Sequence, residues 1–141
     1  MLKAYNHWLV LTVGMVFLSC SAAISGGAGY DPSRDPAVDL AAAVQEASAS
    51  DRRIIVEVGG EWCHWCHILE NFFKTHDEHR ALLEGNFVVV KVNFSPENEN
   101  EAFLSRFPAF KGYPHIMILD SNGNHLHSQD TGQLEKGDGY D

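Results

Sequence analysis

The feature that most constrains the fold is a pair of cysteines where a predicted strand meets a predicted helix. Arg53–Val58 is a nearly continuous β-branched run, which is typical of a buried strand. Gly59 and Gly60 end that run, and the sequence GEWCHWCH at Gly60–His67 leads into helical spacing that continues to about Phe73. Two residues three apart in the first turn of a helix lie about 5–6 Å apart, within reach of a disulfide. The pattern therefore predicts a redox-capable cysteine pair.

The position of each cysteine on this helix predicts its role. Free backbone N–H groups and the helix dipole at a helix N-terminus stabilise a thiolate and lower the pKa of the thiol, so Cys63 is the predicted nucleophile. Cys66 lies one turn further in, where it can resolve a mixed disulfide formed at Cys63. Trp62, His64 and Trp65 surround the pair and are expected to contact substrate.

The rest of the chain alternates predicted helices and strands. The expected elements are a helix from Asp35-Pro36 to about Ser48, a short helix from a capping box at Thr75–Glu78 to Leu83 with Gly85 as its stop, a strand at Phe87–Asn93, a helix from Ser95-Pro96 to about Phe107, a strand at His115–Leu119, a two-residue hairpin turn at Asn122-Gly123 and a strand at Asn124–Gln129. This order predicts an α/β fold whose mixed sheet is covered by helices.

The first part of the chain has the pattern of an export signal. Lys3 is followed by the uncharged run Leu9–Leu18, which is too short to span a bilayer, and then by small residues. We expect residues 1–23 to be a signal peptide or, since Cys20 lies in a sequence similar to a bacterial lipobox, a lipoprotein signal with a lipid on Cys20. Residues 24–36, rich in Gly, Pro and Ser, are predicted to be a flexible linker, and residues 37–141 the domain.

The charge balance excludes one class of partner. Lys and Arg total 10 against 19 Asp and Glu, a formal net charge of −9, so the chain lacks the basic surface that nucleic acids or anionic membranes require. A membrane contact is expected only through a lipid on Cys20. With Cys20 in the signal, Cys63 and Cys66 are the two cysteines left in the predicted domain, which an exported protein would keep in an oxidising compartment.

Over Asp35–Gln129 the chain resembles the thioredoxin superfamily. The resemblance is carried by the Trp-Cys-x-x-Cys motif, by Glu57 six residues before Cys63, and by Tyr113-Pro114. It implies that Glu57 is a buried acid that moves the proton of Cys66, and that Pro114 is cis and shapes a substrate groove with Tyr113. Two departures are His64-Trp65 in place of the usual Gly-Pro, and Glu in place of Asp. A cationic His64 would stabilise the reduced form.

The resemblance implies a three-layer thioredoxin-like fold with a C-terminal β-hairpin and without the final helix of the family. Within this superfamily the chain resembles exported bacterial thioredoxin-like proteins. The implied activity is thiol–disulfide exchange between the Cys63–Cys66 pair and exported protein substrates, in the periplasm or cell envelope. The disulfide itself would be the redox group, with no metal and no organic cofactor, and a membrane redox partner would exchange electrons with it.

Three other interpretations of the motif stay open at this stage. Cys63, Cys66 and His67 also fit the C-x-x-C-H pattern of c-type haem attachment, although the β-branched strand before the motif disfavours a small, mostly helical cytochrome. The same three residues with His76 or His79 could bind zinc. The chain could also be a thioredoxin-fold binding module without catalysis.

Overall fold

A computed structural model describes residues 29–141 of the chain. The predicted export signal, Cys20 and the first part of the predicted linker lie outside the described residues. Within residues 29–141, no helix combines the length and apolar character that crossing a bilayer requires.

The described residues form a mixed α/β fold, as expected. Its elements in chain order are α1 (Pro36–Ser50), β1 (Arg53–Gly59), α2 (His64–Thr75), α3 (Asp77–Asn86), β2 (Phe87–Asn93), α4 (Glu101–Leu104), β3 (His115–Leu119), β4 (His125–Asp130), a 3₁₀ turn (Thr131–Leu134), β5 (Glu135–Lys136) and β6 (Gly139–Tyr140). The four longer strands form one sheet in the order β2-β1-β3-β4, with β1 and β2 parallel and the other two pairs antiparallel.

One face of the sheet carries the main apolar core. The side chains of Ile54, Val56 and Val58 alternate to this face along β1 and pack with α1. Helix α1 contributes Leu40, Ala43 and Ala47, whose spacing of three to four residues keeps them on one side of the helix. Neighbouring strands complete the core with Val88, Val90, Val92, Met117 and Leu119.

The opposite face of β1 lies against α2 and the cysteine motif. Ile55, Glu57 and Gly59 alternate to this face, and a Cβ built on Gly59 would meet the sulfur of Cys66 in α2. The chain after β4 forms the 3₁₀ turn and the β5–β6 hairpin, whose second strand contacts α2, and no further helix is present in residues 29–141.

Two predicted helix signals were wrong. The expected capping box at Thr75 does not form, because the Thr75 hydroxyl donates to the carbonyl oxygen of Asn71 within α2 and is no longer directed at the next helix. Helix α3 begins at Asp77, after His76, without a side-chain cap. Gly85 does not stop this helix, which continues to Asn86 and passes directly into β2.

The long helix predicted from Ser95 to about Phe107 was also wrong. Asn93 donates through its side-chain amide to Ser95 Oγ and to the carbonyl oxygen of Asn98, and the backbones of Ser95 and Asn98 pair across a tight turn. Asn100 then has a φ of 50°, in the left-handed region, so helical geometry starts only at Glu101 and lasts one turn. Side-chain hydrogen bonds from Asn and Ser compete here with the helix ladder.

Two further boundaries differ from the sequence prediction. The turn between β3 and β4 spans residues 120–124 and is wider than a two-residue hairpin turn, because the Asp120 carboxylate accepts the backbone N–H groups of Asn122 and Asn124. Gly123 is at its tip with a φ of 85°. At the other end, part of the predicted linker is packed against the domain: Tyr30 is only 3% exposed.

Candidate functional site

The two cysteines are joined in a disulfide at the start of α2. Cys63 is the N-cap residue of the helix, and its Sγ accepts the backbone N–H of Cys66 at 3.2 Å. A hydrogen bond to this sulfur, together with the positive end of the helix dipole, would favour the thiolate of Cys63 once the disulfide is reduced. Cys63 keeps 3% of its surface exposed while Cys66 keeps none, so Cys63 is the one of the two residues that reaches the protein surface.

The buried sulfur of Cys66 lies against β1 and the N-terminal segment. Tyr30, Cys63 and Cys66 form one buried cluster, with Tyr113 packed against it. A Cβ on Gly59 would lie 2.5 Å from Cys66 Sγ and 2.8 Å from Cζ of Tyr30. Only glycine at position 59 therefore leaves room for the sulfur and the phenol ring to approach the strand together.

Glu57 lies on the same face of β1, two residues before Gly59, and is 8% exposed. Its carboxyl accepts a hydrogen bond from the hydroxyl of Tyr30. The parallel register places Lys91 directly opposite Glu57 on β2, and the Lys91 ammonium lies 3.7 Å from a carboxylate oxygen of Glu70 in α2. The acid predicted from the sequence is thus buried and surrounded by a phenol, an ammonium and a second carboxylate.

Burial is the dominant influence on the acid–base properties of this group. It raises the pKa of Glu57 above its ordinary value, and the charge of Lys91 and the hydrogen bond from Tyr30 oppose that rise, whereas Glu70 adds to it. Burial, with the adjacent Glu57, also raises the pKa of Tyr30 far above that of a free phenol, so Tyr30 stays a neutral donor. A carboxyl with a raised pKa keeps its proton to a higher pH than an exposed one, and its carboxylate is the stronger base.

An aromatic surface borders the disulfide. Trp62 is 55% exposed, its indole N–H donates to the carbonyl oxygen of Phe94 at 2.7 Å, and its ring packs edge-on against Tyr113. Tyr113 also stacks on Phe94, with ring centroids 5.0 Å apart. The peptide bond between Tyr113 and Pro114 is cis, and Pro114 is buried.

The two residues between the cysteines have different environments. His64 is exposed at the first position of α2. Trp65 is half-buried, and its ring packs edge-on against Tyr140 of β6 at 5.5 Å. The C-terminal hairpin therefore contacts the active-site motif directly.

An open groove of about 670 Å³ lies beside Trp62, between the N-terminal segment and the loop that follows β2. Its lining includes Tyr30, Pro32, Trp62, Phe94 and Pro96, with Glu61, Glu97 and Glu99 among the polar residues. The surface around the disulfide thus combines apolar rings with carboxylates.

Three residues of this site escaped the sequence prediction. Lys91 interrupts the apolar run of β2, and a lysine in a buried strand is a signal that could have been used. The sequence pattern assigns Gly59 only to the end of a strand, although two adjacent glycines before the motif are consistent with close packing. Tyr30 had no local signal, because it lies among Gly, Pro and Ser residues that are typical of a linker.

The structure does not assemble the zinc set considered above. Within residues 29–141, no group of three or more His, Cys, Asp or Glu side chains is arranged to hold a metal ion. His67 Nε2 lies 2.8 Å from the carbonyl oxygen of Glu61, and His76 stacks on Phe72.

Comparison with known proteins agrees with this architecture. A family model described as Thioredoxin-like matches residues 35–121, which include both cysteines, Glu57 and Pro114. Among solved structures, the disulphide isomerase from Xylella fastidiosa superposes with a TM-score of 0.64 at 21% identity, covering 70% of this chain and 76% of that one. The C-terminal domain of DsbD from Neisseria meningitidis in its oxidised form gives a TM-score of 0.50 at 22% identity, covering 67% and 82%.

One relative matches by sequence over a short part of its length. An uncharacterized protein of Caenorhabditis elegans is 35% identical over 81 residues, which are 55% of this chain but only 11% of that protein. The chain therefore spans about a tenth of the length of this relative. The family match covers more than half of the chain and includes the cysteine motif, the buried acid and the cis-proline, so the chain belongs to the thioredoxin-like family.

Proposed function

We propose that this chain is a protein thiol–disulfide oxidoreductase whose redox group is the Cys63–Cys66 pair. The observation that carries the proposal is the disulfide at the N-terminus of α2, with Cys63 as the cap residue and the only one of the two with exposed surface. The thioredoxin-like fold supports the proposal, because it places the cysteine pair at the junction of β1 and α2, where the helix N-terminus can stabilise a thiolate.

In the reducing direction, the Cys63 thiolate attacks one sulfur of a substrate disulfide. A mixed disulfide forms between Cys63 and the substrate, and the other substrate sulfur leaves as a thiolate that takes a proton from solvent. Cys66 then loses its proton and attacks Cys63 Sγ, so the Cys63–Cys66 bond forms and the second substrate thiolate is released. Two electrons pass from the dithiol to the substrate, and the oxidising direction is the reverse.

Glu57 is proposed to take the proton of Cys66. The two side chains lie on the same side of β1, and both adjoin Tyr30. Because burial raises the pKa of Glu57, its carboxylate is a stronger base than an exposed one and can hold this proton during resolution.

The aromatic surface is proposed to bind the substrate backbone and side chains. Trp62 and Tyr113 border Cys63, a cis peptide bond joins Tyr113 to Pro114, and His64 and Trp65 lie in the first turn of α2. The groove beside Trp62 extends this surface.

The location and partners of the protein are further parts of the proposal. The predicted signal in residues 1–23 supports export to the periplasm or cell envelope, with a lipid anchor if Cys20 is modified. The substrates would then be exported proteins with thiols or disulfides, and a membrane protein would renew the redox state. We propose no metal and no organic cofactor, since the dithiol itself carries the two electrons.

The test is a redox titration of the full chain in glutathione buffers, measured by alkylation and intact mass. We expect a reversible two-electron transition confined to Cys63 and Cys66. A low reduction potential would identify a reductase and a high one an oxidase or isomerase, since about 30 mV corresponds to about 1.4 kcal/mol for this couple. Absence of a transition, with both cysteines carrying an added mass, would contradict the proposal and favour haem attachment.

The roles of the two cysteines are separated by a matched pair of serine variants. Cys66→Ser should accumulate mixed disulfides with protein substrates, because Cys63 can still attack but nothing resolves the adduct. Cys63→Ser is the control and should accumulate far fewer, since Cys66 is fully buried. Equal trapping by both variants would show that the assignment of nucleophile and resolving cysteine is wrong.

A further inference from the structure

Tyr30 belongs to neither the cysteine motif nor the matched family range, which begins at residue 35. It is nevertheless among the most buried residues of the described chain, at 3% exposure. A tyrosine in a segment of Gly, Pro, Ser and Asp has no reason to be buried on composition alone. Specific contacts must therefore hold it there.

Tyr30 is held by two hydrogen bonds, by packing against Cys66, and by the Lys91 ammonium, which lies 5.2 Å from the centre of its ring. Its backbone N–H donates to Glu61 Oε1 at 2.8 Å, which ties the segment to the loop just before Cys63. Its hydroxyl donates to Oε1 of Glu57. Its ring packs with Cys66 over Gly59, where no side chain intervenes.

These contacts bring one side chain against both the buried acid and the buried sulfur. The ring touches the cysteine cluster, and the hydroxyl at its end binds the carboxyl. In the part of the chain that the structure describes, Tyr30 is the only hydrogen-bond donor found on the Glu57 carboxyl. The orientation of that carboxyl therefore depends on Tyr30.

Other charged groups also face Glu57 and must be considered with it. Lys91 approaches from β2 and Glu70 from α2, with opposite effects on the carboxylate. Burial raises the pKa of Tyr140 on β6, and the charge of Glu57 adds a smaller rise. On β3, the residue paired with Glu57 is Ile116, which does not titrate.

We propose that Tyr30 is a positioning residue for thiol–disulfide exchange, holding the Glu57 carboxylate beside Cys66 so that it can accept the Cys66 proton. This inference rests on the proposed function. During resolution the Cys66 proton passes to the Glu57 carboxylate, the Cys66 electron pair forms the bond to Cys63 Sγ, and the bond from Cys63 to the substrate breaks with its electron pair on the substrate sulfur. Tyr30 itself neither gains nor loses a proton overall.

The first arm of the test needs no turnover. Full-length oxidised protein is labelled with ¹³C at the glutamate carboxyls, and the Glu57 signal is identified by its absence in Glu57→Gln. Tyr30→Phe removes one oxygen and keeps the ring against Cys66. The free energy of a hydrogen bond to a charged group corresponds to a pKa shift of about one to two units. We therefore expect the pKa of Glu57 to rise by about one unit or more in Tyr30→Phe.

The second arm measures resolution of the mixed disulfide with a model disulfide peptide across pH. Below the pKa of Glu57 in both proteins, Tyr30→Phe should resolve about tenfold more slowly, because the carboxylate fraction falls tenfold for each unit of pKa. The difference should shrink at high pH, where Glu57 is ionised in both proteins and only the misplacement of its carboxylate still slows Tyr30→Phe. In the Glu57→Gln background, Tyr30→Phe should change the rate by less than about twofold at every pH.

Each outcome decides the proposal. An unchanged pKa of Glu57 in Tyr30→Phe would overturn it. So would a pH-independent loss of rate that persists in the Glu57→Gln background, because a purely structural role for Tyr30 predicts that result. If wild-type protein exchanges with no disulfide peptide at all, the proposed function fails instead, and the carboxyl titration still decides whether Tyr30 controls Glu57.

Discussion

Gly59→Ala tests whether the close approach of β1, Cys66 and Tyr30 is real. The added Cβ would lie 2.5 Å from Cys66 Sγ, 2.8 Å from Tyr30 Cζ and 2.9 Å from Tyr30 Oη. Normal contacts are about 3.5–4.0 Å, so three atoms overlap by roughly 1 Å. Overpacking of this kind costs about 1–3 kcal/mol, and replacing a strand glycine by alanine returns about 0.5–1 kcal/mol.

Since three atoms overlap at once, the cost lies at the upper end of that range, and we expect Gly59→Ala to lower the free energy of unfolding of the oxidised chain by about 2 kcal/mol, measured by urea denaturation. The reduced chain should lose less, because a free Cys66 thiol can rotate away from the new methyl group. The variant should then be more oxidising than wild type, by about 30 mV for each 1.4 kcal/mol of difference between the two forms.

The matched control is Gly85→Ala in α3. Nothing lies within 4 Å of a Cβ at that position, and the helix gains from the change, so the free energy of unfolding should rise by about 0.5–1 kcal/mol. If Gly59→Ala is as stable as wild type in the oxidised form, the packing of Tyr30 and Cys66 over residue 59 is not as described. A stable variant would also remove one support for the role of Tyr30.

Two other substitutions test different parts of the structure. His115 is buried against Phe110, neither ring nitrogen has a hydrogen-bond partner in residues 29–141, and burial lowers its pKa below the ordinary 6.5. The unfolded chain therefore takes up the proton first as pH falls, so the contribution of His115 to stability should be complete above about pH 6.5 and decline below it towards the lowered pKa. We expect His115→Leu to flatten the decline of the urea midpoint between pH 7.5 and 5. If the midpoint falls as steeply in the variant as in wild type, other groups cause the decline. In stopped-flow assays, Trp62→Ala should slow exchange with a folded protein disulfide more than exchange with a small dithiol, because Trp62 offers exposed ring surface beside Cys63. An equal loss of rate with both substrates would exclude Trp62 from substrate contact.

The sequence predicted best where hydrophobic periodicity decides the structure. The strands Phe87–Asn93 and His115–Leu119 were predicted at their observed bounds, because each is a short apolar run between polar or Gly/Pro-containing segments. The strand–helix junction at the cysteines was predicted for the same reason. These features are local, so a single sequence contains the information.

Predictions of helix starts failed where a side chain forms a hydrogen bond with one of several possible local partners. Thr75 and Asn93 each bind a backbone or side-chain group that the sequence pattern could not identify, and in both cases a predicted helix signal was lost. Tyr30 is a failure of another kind. Its burial depends on a glycine 29 residues later and on carboxyls at positions 57 and 61, so no window of the sequence around Tyr30 contains the cause.

The contacts of Tyr30 link the redox site to parts of the chain outside the matched family range. Tyr30 precedes residues 35–121 and touches Cys66, whereas Tyr140 follows them and packs on Trp65. Burial raises the pKa of both tyrosines, and the charge of Glu57 raises it further in each case. Since a buried charge is screened little by solvent, small changes in how either segment packs would change the pKa of Glu57 more than the same changes at an exposed carboxylate. The segments that flank the matched range therefore join Lys91 and Glu70 in setting the environment of Glu57 and of the cysteine pair.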